Sequence, residues 1–263
     1  MTWILPVAVA AVALMYASVG HAGATGYIAV MGLLGLTADV IRPTALVLNL
    51  IVAAIGTVQF VRAGHFRRDL FVPLAVASVP AAAIGGSLPL PTAVFEAALG
   101  LVLAFSALRL VREVWPVYEA KDNAPHALSG EDPLAHRRPS IPVLLATGAV
   151  LGLGSGLTGV GGGVFLTPLL LALGVATTRQ VAAVSVVFIL VNSAAGLAGW
   201  LASGRSLAAI DPWVLAAAAA GGLAGSQLGA FALSVRWLRL LMAIVLAVAS
   251  VKLLGEAVRM ANG

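Results

Sequence analysis

The chain has 263 residues, of which 61% are hydrophobic and 10% are charged, and its mean hydropathy is +1.06. Soluble domains carry about 25% charged residues, so this composition excludes a soluble protein and predicts an all-α protein embedded in a lipid bilayer. The formal net charge of +5 does not indicate a nucleic-acid partner, because the cytoplasmic loops of membrane proteins accumulate Lys and Arg. The chain has no cysteine, which excludes disulfides and thiolate metal sites.

Eight hydrophobic segments with little or no charge follow one another along the chain. The first and the fifth, residues 3–36 and 141–178, would measure about 51 and 57 Å as single helices, against a hydrocarbon core of about 30 Å. Each of these two must therefore break or double back. The eight segments are residues 3–36, 43–61, 70–88, 91–108, 141–178, 180–204, 212–235 and 240–254.

Two stretches rich in small residues interrupt the two long segments. They are residues 19–27 (VGHAGATGY) and 154–164 (GSGLTGVGGGV). Irregular backbone at membrane depth persists only where it is buried in protein or lines a polar cavity. Discontinuous helices at matching places in two halves are typical of a transporter's substrate site. We therefore expect a substrate to bind near these two breaks.

A polar stretch at residues 114–140, with four prolines and mixed charges, is expected to be a cytoplasmic linker. It divides an N-terminal membrane repeat, residues 1–113, from a C-terminal one, residues 141–263. In each repeat a long broken segment is followed by three ordinary segments, which predicts a four-plus-four duplication.

Two membrane arrangements fit this pattern. If each broken segment crosses the membrane, there are eight crossings and both termini are cytoplasmic. If each is a re-entrant hairpin, the halves are inverted and both termini are periplasmic. Either arrangement divides the Lys and Arg residues eleven against four, so the positive-inside rule does not choose between them. The short pieces on either side of each break favour the re-entrant arrangement.

The chemistry available at the breaks suits an anion. A half-helix that begins at Gly26 or Gly163 exposes unpaired N–H groups and the positive end of its dipole. Thr25 and Thr158 add hydroxyl donors. His21 is either a donor to the anion, a carrier of its proton, or a structural partner of a carbonyl group. The candidate substrate-binding residues are His21, Gly23, Thr25, Gly26, Asn49, Thr158, Gly161, Gly162, Gly163 and Asn192.

Two pairs of polar residues lie at comparable places in the two halves. Arg42 and Arg179 begin the segment after each broken one, where they either guide an anion or anchor a helix end by snorkelling. Asn49 and Asn192 lie near the middle of those segments and either contact ligand or bridge helices.

Other residues have a structural interpretation. Three glycines at and just before the start of the second break are expected to allow close helix packing, and two aspartates are expected to be helix N-caps. The hydrophobic segments contain no paired carboxylates or grouped histidines, so we expect no enzyme, catalytic residue, cofactor or metal site. The glycines are Gly152, Gly154 and Gly156, and the aspartates are Asp69 and Asp211.

Residues 148–175 (GAVLGLGSGLTGVGGGVFLTPLLLALGV) resemble the signature of the sulfite exporter TauE/SafE family, also called the toluene-sulfonate uptake permease group. Residues 16–36 (YASVGHAGATGYIAVMGLLGL) and 41–66 (IRPTALVLNLIVAAIGTVQFVRAGHF) resemble the N-terminal counterpart of this signature. The first break departs from the pattern, because GHAGATG replaces a run made mostly of glycine.

This resemblance implies a carrier in the bacterial inner membrane whose partner is a small anionic sulfur compound such as sulfite, a sulfonate or sulfoacetate. We expect a secondary transporter with alternating access. An anion channel and a membrane assembly factor without transport activity are the alternatives. The sequence is also compatible with a homo-oligomer.

Overall fold

The computed structural model describes residues 3–18, 21–114, 139–228 and 236–262. These residues form ten α-helices and no β-strand, as an all-α chain predicts. Five helices, α3, α4, α5, α6 and α8, are long and apolar enough to cross a membrane. The bounds are α1 Ile4–Ser18, α2 Ala24–Leu33, α3 Ala38–Arg62, α4 Arg68–Ser87, α5 Thr92–Val114, α6 Ile141–Thr158, α7 Gly163–Ala172, α8 Thr178–Ala202, α9 Pro212–Leu228 and α10 Arg236–Asn262.

Parts of three predicted features lie outside the described residues. These parts are residues 115–138 of the linker, residues 229–235 at the end of the seventh segment, and residues 19–20 of the first break. The count of eight segments therefore stays a prediction.

Both long segments are broken, as their lengths predict. The first becomes α1 and α2, and the second becomes α6 and α7. Gly23 precedes α2 with a φ of 94°, and Gly162 precedes α7 with a φ of 76°. Residues other than glycine rarely adopt this left-handed backbone conformation. These two glycines therefore determine where the new helices begin. α7 begins at the predicted Gly163, whereas α2 begins two residues before the predicted Gly26.

α4 and α6 pack backbone against backbone. A Cβ atom on Gly148 would collide with the carbonyl oxygen of Leu74, and one on Gly156 with that of Ala82. Because the residue numbers rise together, the two helices run parallel. Gly152 also contacts α4 in this way, so the packing role predicted for Gly152 and Gly156 is confirmed. The same prediction is wrong for Gly154, where a Cβ would meet nothing within 4 Å.

α1 and α9 form a second close pair of the same kind. A Cβ on Gly221 would collide with the carbonyl oxygen of Ala10, and one on Gly225 with that of Leu14. These two helices also run parallel. Close approach through glycine is a common way for helices to associate inside membranes, and here each pair joins one half of the chain to the other.

α3 and α8 lie side by side and run antiparallel. A Cβ on Gly56 would lie 2.8 Å from Cγ2 of Val186, and one on Gly196 would lie 3.5 Å from Cδ2 of Leu46. The residue numbers therefore change in opposite directions. It follows that α3 and α8 begin at opposite ends of the bundle.

These directions show where each broken segment starts and finishes. α4 begins where α3 ends, which is the end of the bundle at which α8 also begins. Since α6 is parallel to α4, α6 begins there too. The end at which α4, α6 and α8 begin is called the linker face below. By the same reasoning α9 begins where α8 ends, and its parallel neighbour α1 begins there with α3. That opposite end is called the terminal face.

Each broken segment thus returns to the face from which it started. α7 is followed within a few residues by α8, which begins at the linker face, and α2 is followed by α3, which begins at the terminal face. Side-chain packing agrees, because Leu166 and Leu170 of α7 share a buried cluster with Leu144 from the first turn of α6 and Val181 from the first turn of α8.

The two predicted N-caps have different outcomes. Asp211 caps α9 as predicted, because its Oδ1 accepts a hydrogen bond from the backbone N–H of Trp213 at 2.9 Å, and Pro212 is the first helical residue. The prediction for Asp69 is wrong. The N-cap of α4 is Arg67, and Asp69 lies in the first turn, where it forms an ion pair with Arg67. This ion pair raises the pKa of Arg67 from its ordinary value.

Candidate functional site

The two breaks meet at one small cavity. Its volume is about 10 Å³, which is about the space that one water molecule requires. The first break and the turns beside it supply most of the wall, the second break supplies two residues, and α8 supplies one. The lining residues are Tyr16, His21, Ala22, Gly23, Ala24, Thr25, Val160, Val164 and Ile189.

Two helices begin at this cavity. The first turn of α2 contains the lining residues Ala24 and Thr25, and the first turn of α7 contains Val164. The first N–H groups of a helix have no partner within the helix and carry about half a positive charge together. The residues before these two helices are glycines, and neither provides a side-chain cap. The described residues therefore give the first N–H groups of these two helices no side-chain cap.

Polar residues of α1, the first break and α2 line the cavity. The hydroxyl groups of Tyr16 and Thr25 lie 2.8 Å apart and share a hydrogen bond. The backbone N–H of His21 donates to the carbonyl oxygen of Tyr16 at 2.9 Å and closes the turn. His21, Gly23 and Thr25 of the predicted set are thus brought together. Gly26 is buried in α2 but is not among the lining residues.

Polar groups around the second break come from other helices. Nδ2 of Asn49, in α3, donates to the carbonyl oxygen of Gly159 at 3.3 Å. A Cβ on Gly161 would lie 3.1 Å from this Nδ2 and 3.2 Å from Oγ of Ser193, in α8. Asn49 and Ser193 are fully buried, and no other described residue bonds Oδ1 of Asn49 or Oγ of Ser193. The irregular backbone is thus held between α3 and α8.

Two predicted binding residues bond to their own helices. The hydroxyl of Thr158 donates to the carbonyl oxygen of Gly154 at 2.7 Å and accepts from the N–H of Val160 at 3.4 Å, so it orders the break. Nδ2 of Asn192 donates to the carbonyl oxygen of Phe188 at 2.8 Å. Asn192 was predicted to share a role with Asn49, but its neighbour Ser193 is the residue that reaches Gly161.

Arg42 is buried, with 2% of its surface exposed. Its Nε donates to the carbonyl oxygen of Gly156 at 2.9 Å. Its Nη atoms donate to carbonyl oxygens at the end of α4, on Gly86 at 3.0 Å, on Leu88 at 3.2 Å and on Gly85. Cations at helix C-termini satisfy free carbonyls and complement the dipole. The snorkelling interpretation is therefore wrong for Arg42, because a snorkelling side chain keeps its charge in water.

Arg42 and Arg179 do not share an environment. Arg179 is exposed in the first turn of α8, whereas Arg42 packs against the second break, where a Cβ on Gly159 would lie 3.4 Å from its Cγ. These arginines therefore occupy similar places in the sequences of the two halves but make different contacts.

Sequence reasoning missed Arg109. Its Nη1 donates to the carbonyl oxygen of Val164, a cavity-lining residue, at 3.0 Å. From sequence this arginine counts only as a charge at the end of the segment 91–108. The structure continues α5 to Val114, so Arg109 lies inside the helix and reaches α7. No local sequence signal distinguishes it from a loop charge.

Comparison with known proteins bears on what this site does. The sequence model of a family described as "Sulfite exporter TauE/SafE" matches residues 5–253. The "Probable membrane transporter protein y4hK" of Sinorhizobium fredii is 42% identical over 250 residues, which cover 95% of this chain and 97% of that protein. No solved structure matches this chain significantly.

Proposed function

Because this chain belongs to the sulfite exporter TauE/SafE family, as its sequence resemblance predicts, we propose that it is a secondary transporter of small sulfur-containing anions. The proposed substrates are of the sulfite, sulfonate or sulfoacetate type, carried across the bacterial inner membrane by alternating access. Family membership and the five apolar helices make the chain a multi-pass membrane protein. The observation that carries the proposal is the meeting of two helix N-termini at one cavity between the breaks.

This cavity has the electrostatics of an anion site. Sulfite and sulfonate groups present several oxygen acceptors, and the first turns of α2 and α7 present N–H donors with a positive dipole end. None of the residues described as lining the cavity is acidic. The hydroxyls of Tyr16 and Thr25 and the imidazole of His21 offer further donors. Glycine on both sides lets an anion approach the backbone closely.

The directions of the broken segments support alternating access. The cavity has room for about one water molecule, so an oxyanion enters only after the walls separate. The α1–α2 hairpin returns to the terminal face, whereas the α6–α7 hairpin returns to the linker face. Movement of one hairpin would open the cavity to one side of the membrane, and movement of the other would open it to the opposite side.

The same directions support inverted halves with both termini periplasmic. In this arrangement the linker face carries eleven of the fifteen Lys and Arg residues, which makes it cytoplasmic by the positive-inside rule. The remaining four are Arg42, Arg205, Lys252 and Arg259. Three of these four donate hydrogen bonds to carbonyl groups at helix C-termini, on Gly86 in the case of Arg42 and Arg205, and on Gly32 in the case of Lys252.

Single cysteines test this arrangement, because the chain has none of its own. Thr37, Ala63, Leu173 and Ala209 are all exposed. On intact cells, a membrane-impermeant thiol reagent is expected to label Thr37→Cys and Ala209→Cys and to leave Ala63→Cys and Leu173→Cys unlabelled. The arrangement with eight crossings predicts the same labelling at Thr37 and Ala63, which therefore serve as controls. It predicts the opposite labelling at Leu173 and Ala209, and that opposite result would exclude inverted halves.

Uptake into proteoliposomes tests the function. The panel is sulfite, thiosulfate, sulfoacetate, taurine and an aromatic sulfonate, with acetate as an anion without sulfur. We expect saturable uptake of at least one sulfur anion and none of acetate. Flux that rises without saturation indicates a channel, and no flux of any compound above that of empty liposomes supports an assembly factor.

A further inference from the structure

Three side chains form a cationic cluster at the terminal face, where α3 begins and α4 and α8 end. They are Arg42, Trp200 and Arg205, and they are called the outer cluster below. The Cζ atom of Arg42 lies 5.2 Å from the centroid of the Trp200 ring, and that of Arg205 lies 3.8 Å from it. Both guanidinium groups also donate to the carbonyl oxygen of Gly86, Arg42 at 3.0 Å and Arg205 at 2.6 Å.

The hydrogen-bond acceptors that the described residues offer to this cluster are all neutral groups. Among the described residues, the acceptors of Arg42 are backbone carbonyls, and those of Arg205 are the carbonyl of Gly86 and the hydroxyl of Ser203. Burial lowers the pKa of Arg205, and the carboxylate of Asp39 opposes this shift through space. Two guanidinium groups that share one neutral oxygen repel each other, and an anion between them would relieve this repulsion.

The cluster connects the surface with the second break. Arg205 is partly exposed in the loop after α8, and Arg42 is buried beneath it. The inner side of Arg42 packs on Gly159, and its Nε is bonded to Gly156. An anion arriving at the terminal face would therefore meet Arg205 first, Arg42 second and the irregular backbone next to the cavity third.

We propose that Arg42, Arg205 and Trp200 form an outer anion subsite in series with the cavity between the breaks. The ligand is a small oxyanion, and its oxygens replace the carbonyl of Gly86 as the shared acceptor of the two guanidinium groups. Charge-assisted bonds to an oxyanion are stronger than bonds to a neutral carbonyl, and the face of Trp200 holds the guanidinium groups in place. The transport role of this subsite rests on the proposed function.

Anion binding at this subsite also affects how readily the helices separate at the terminal face. Arg42 ties the beginning of α3 to the C-terminal ends of α4 and α6. Each hydrogen bond that it transfers from a carbonyl to the anion removes one of these ties. Binding of the anion is therefore coupled to separation of the helices at the terminal face.

Trp200 provides a direct measurement of binding. The chain has five tryptophans, so a protein with the other four changed to phenylalanine reports on Trp200 alone. Its emission is titrated in detergent with methanesulfonate and with sulfite, at low salt. A saturable change in emission is expected. Emission that does not respond to either anion would overturn the proposal.

Substitutions identify the groups responsible. Arg205→Gln removes the exposed charge and leaves Arg42 in place, and it is expected to weaken the anion affinity about tenfold, as loss of a charge-assisted bond predicts. Arg259→Gln, at the end of α10, removes a basic residue elsewhere on the same face and is expected to have little effect. Asp39→Asn removes the opposing carboxylate and is expected to tighten binding. Equal effects of Arg205→Gln and Arg259→Gln would contradict the subsite.

Transport in vesicles of defined orientation separates this proposal from the proposed function. Arg205→Gln is expected to raise KM for anion supplied at the terminal face and to leave KM from the linker face unchanged. If the protein transports sulfur anions but Arg205→Gln has normal KM and normal emission, the subsite is wrong and the function stands. If emission responds to anions but no anion is transported, the subsite stands and the function is wrong.

Discussion

Between α1 and α2 the described backbone has one left-handed glycine, Gly23, whereas between α6 and α7 it has three, Gly159, Gly161 and Gly162. The first break brings its own polar side chains to the cavity. The second brings mainly backbone, and its polar contacts come from α3 and α8. The comparison indicates that the two breaks have different roles. The second break fixes the shape of the site, and the first supplies most of its polar side chains. Substitutions should therefore act differently at the two breaks.

The largest effect is expected for Gly162→Leu. A Cβ at this position would lie 2.9 Å from Cε1 of Phe188 and 3.3 Å from the carbonyl oxygen of Leu151, and the left-handed backbone costs a non-glycine residue about 1–2 kcal/mol. Uptake should fall to the level of empty liposomes, with membrane insertion retained. Gly154→Leu is the matched control, because a Cβ there meets nothing within 4 Å. Normal uptake by a well-expressed Gly162→Leu protein would remove the second break from the site.

A smaller effect is expected for Asn49→Ala. It removes the donor to the carbonyl of Gly159, and an unsatisfied buried acceptor costs about 1–3 kcal/mol. Both thermal stability and the affinity for the anion should fall. Asn192→Ala is the control, because the acceptor of Asn192 lies within α8, where the helical backbone also supplies a donor. Equal losses in the two variants would show that contact with the break is not what matters.

The smallest effect is expected for His21→Gln, which keeps a polar side chain at the first break. A protonated imidazole attracts an anion by its charge, whereas a neutral one offers only its N–H donor. If His21 faces the anion, wild-type affinity is higher at acidic than at alkaline pH, and the variant loses this dependence. A sulfonate is the suitable probe, because its charge is constant in this range. His65→Gln, outside the cavity, is the control. An unchanged affinity and pH profile in His21→Gln would make His21 structural.

The breaks could be predicted from sequence because length and glycine content are local properties. A segment of 34 or 38 residues cannot cross as one helix, and the run from Gly161 to Gly163 is the weakest helical stretch within it. The predicted start of α2 missed by two residues, because the left-handed residue is Gly23 rather than Gly26. Nothing local distinguishes these two glycines.

The contacts of the arginines could not be predicted in this way. Arg42 bonds to residues 43 to 114 positions away in sequence, and Arg109 bonds to a residue 55 positions away. Both contacts depend on how α4, α6 and α7 pack. Charge could not decide the membrane arrangement either, since it divides in the same ratio for both candidates, and only the lengths of the pieces beside each break favoured the re-entrant one. The directions of paired helices are tertiary information.

The pairing of α1 with α9 has a consequence for biosynthesis. The glycines of α9 that receive α1 are made 211 residues after their contacts in α1, as the pair Ala10 and Gly221 shows. At about 5–20 residues per second, the ribosome needs roughly 10–40 s to supply this partner. During that interval the first hairpin is in the membrane without the helix that covers it. The hairpin that is synthesised first therefore gains its packing partner α9 only near the end of synthesis.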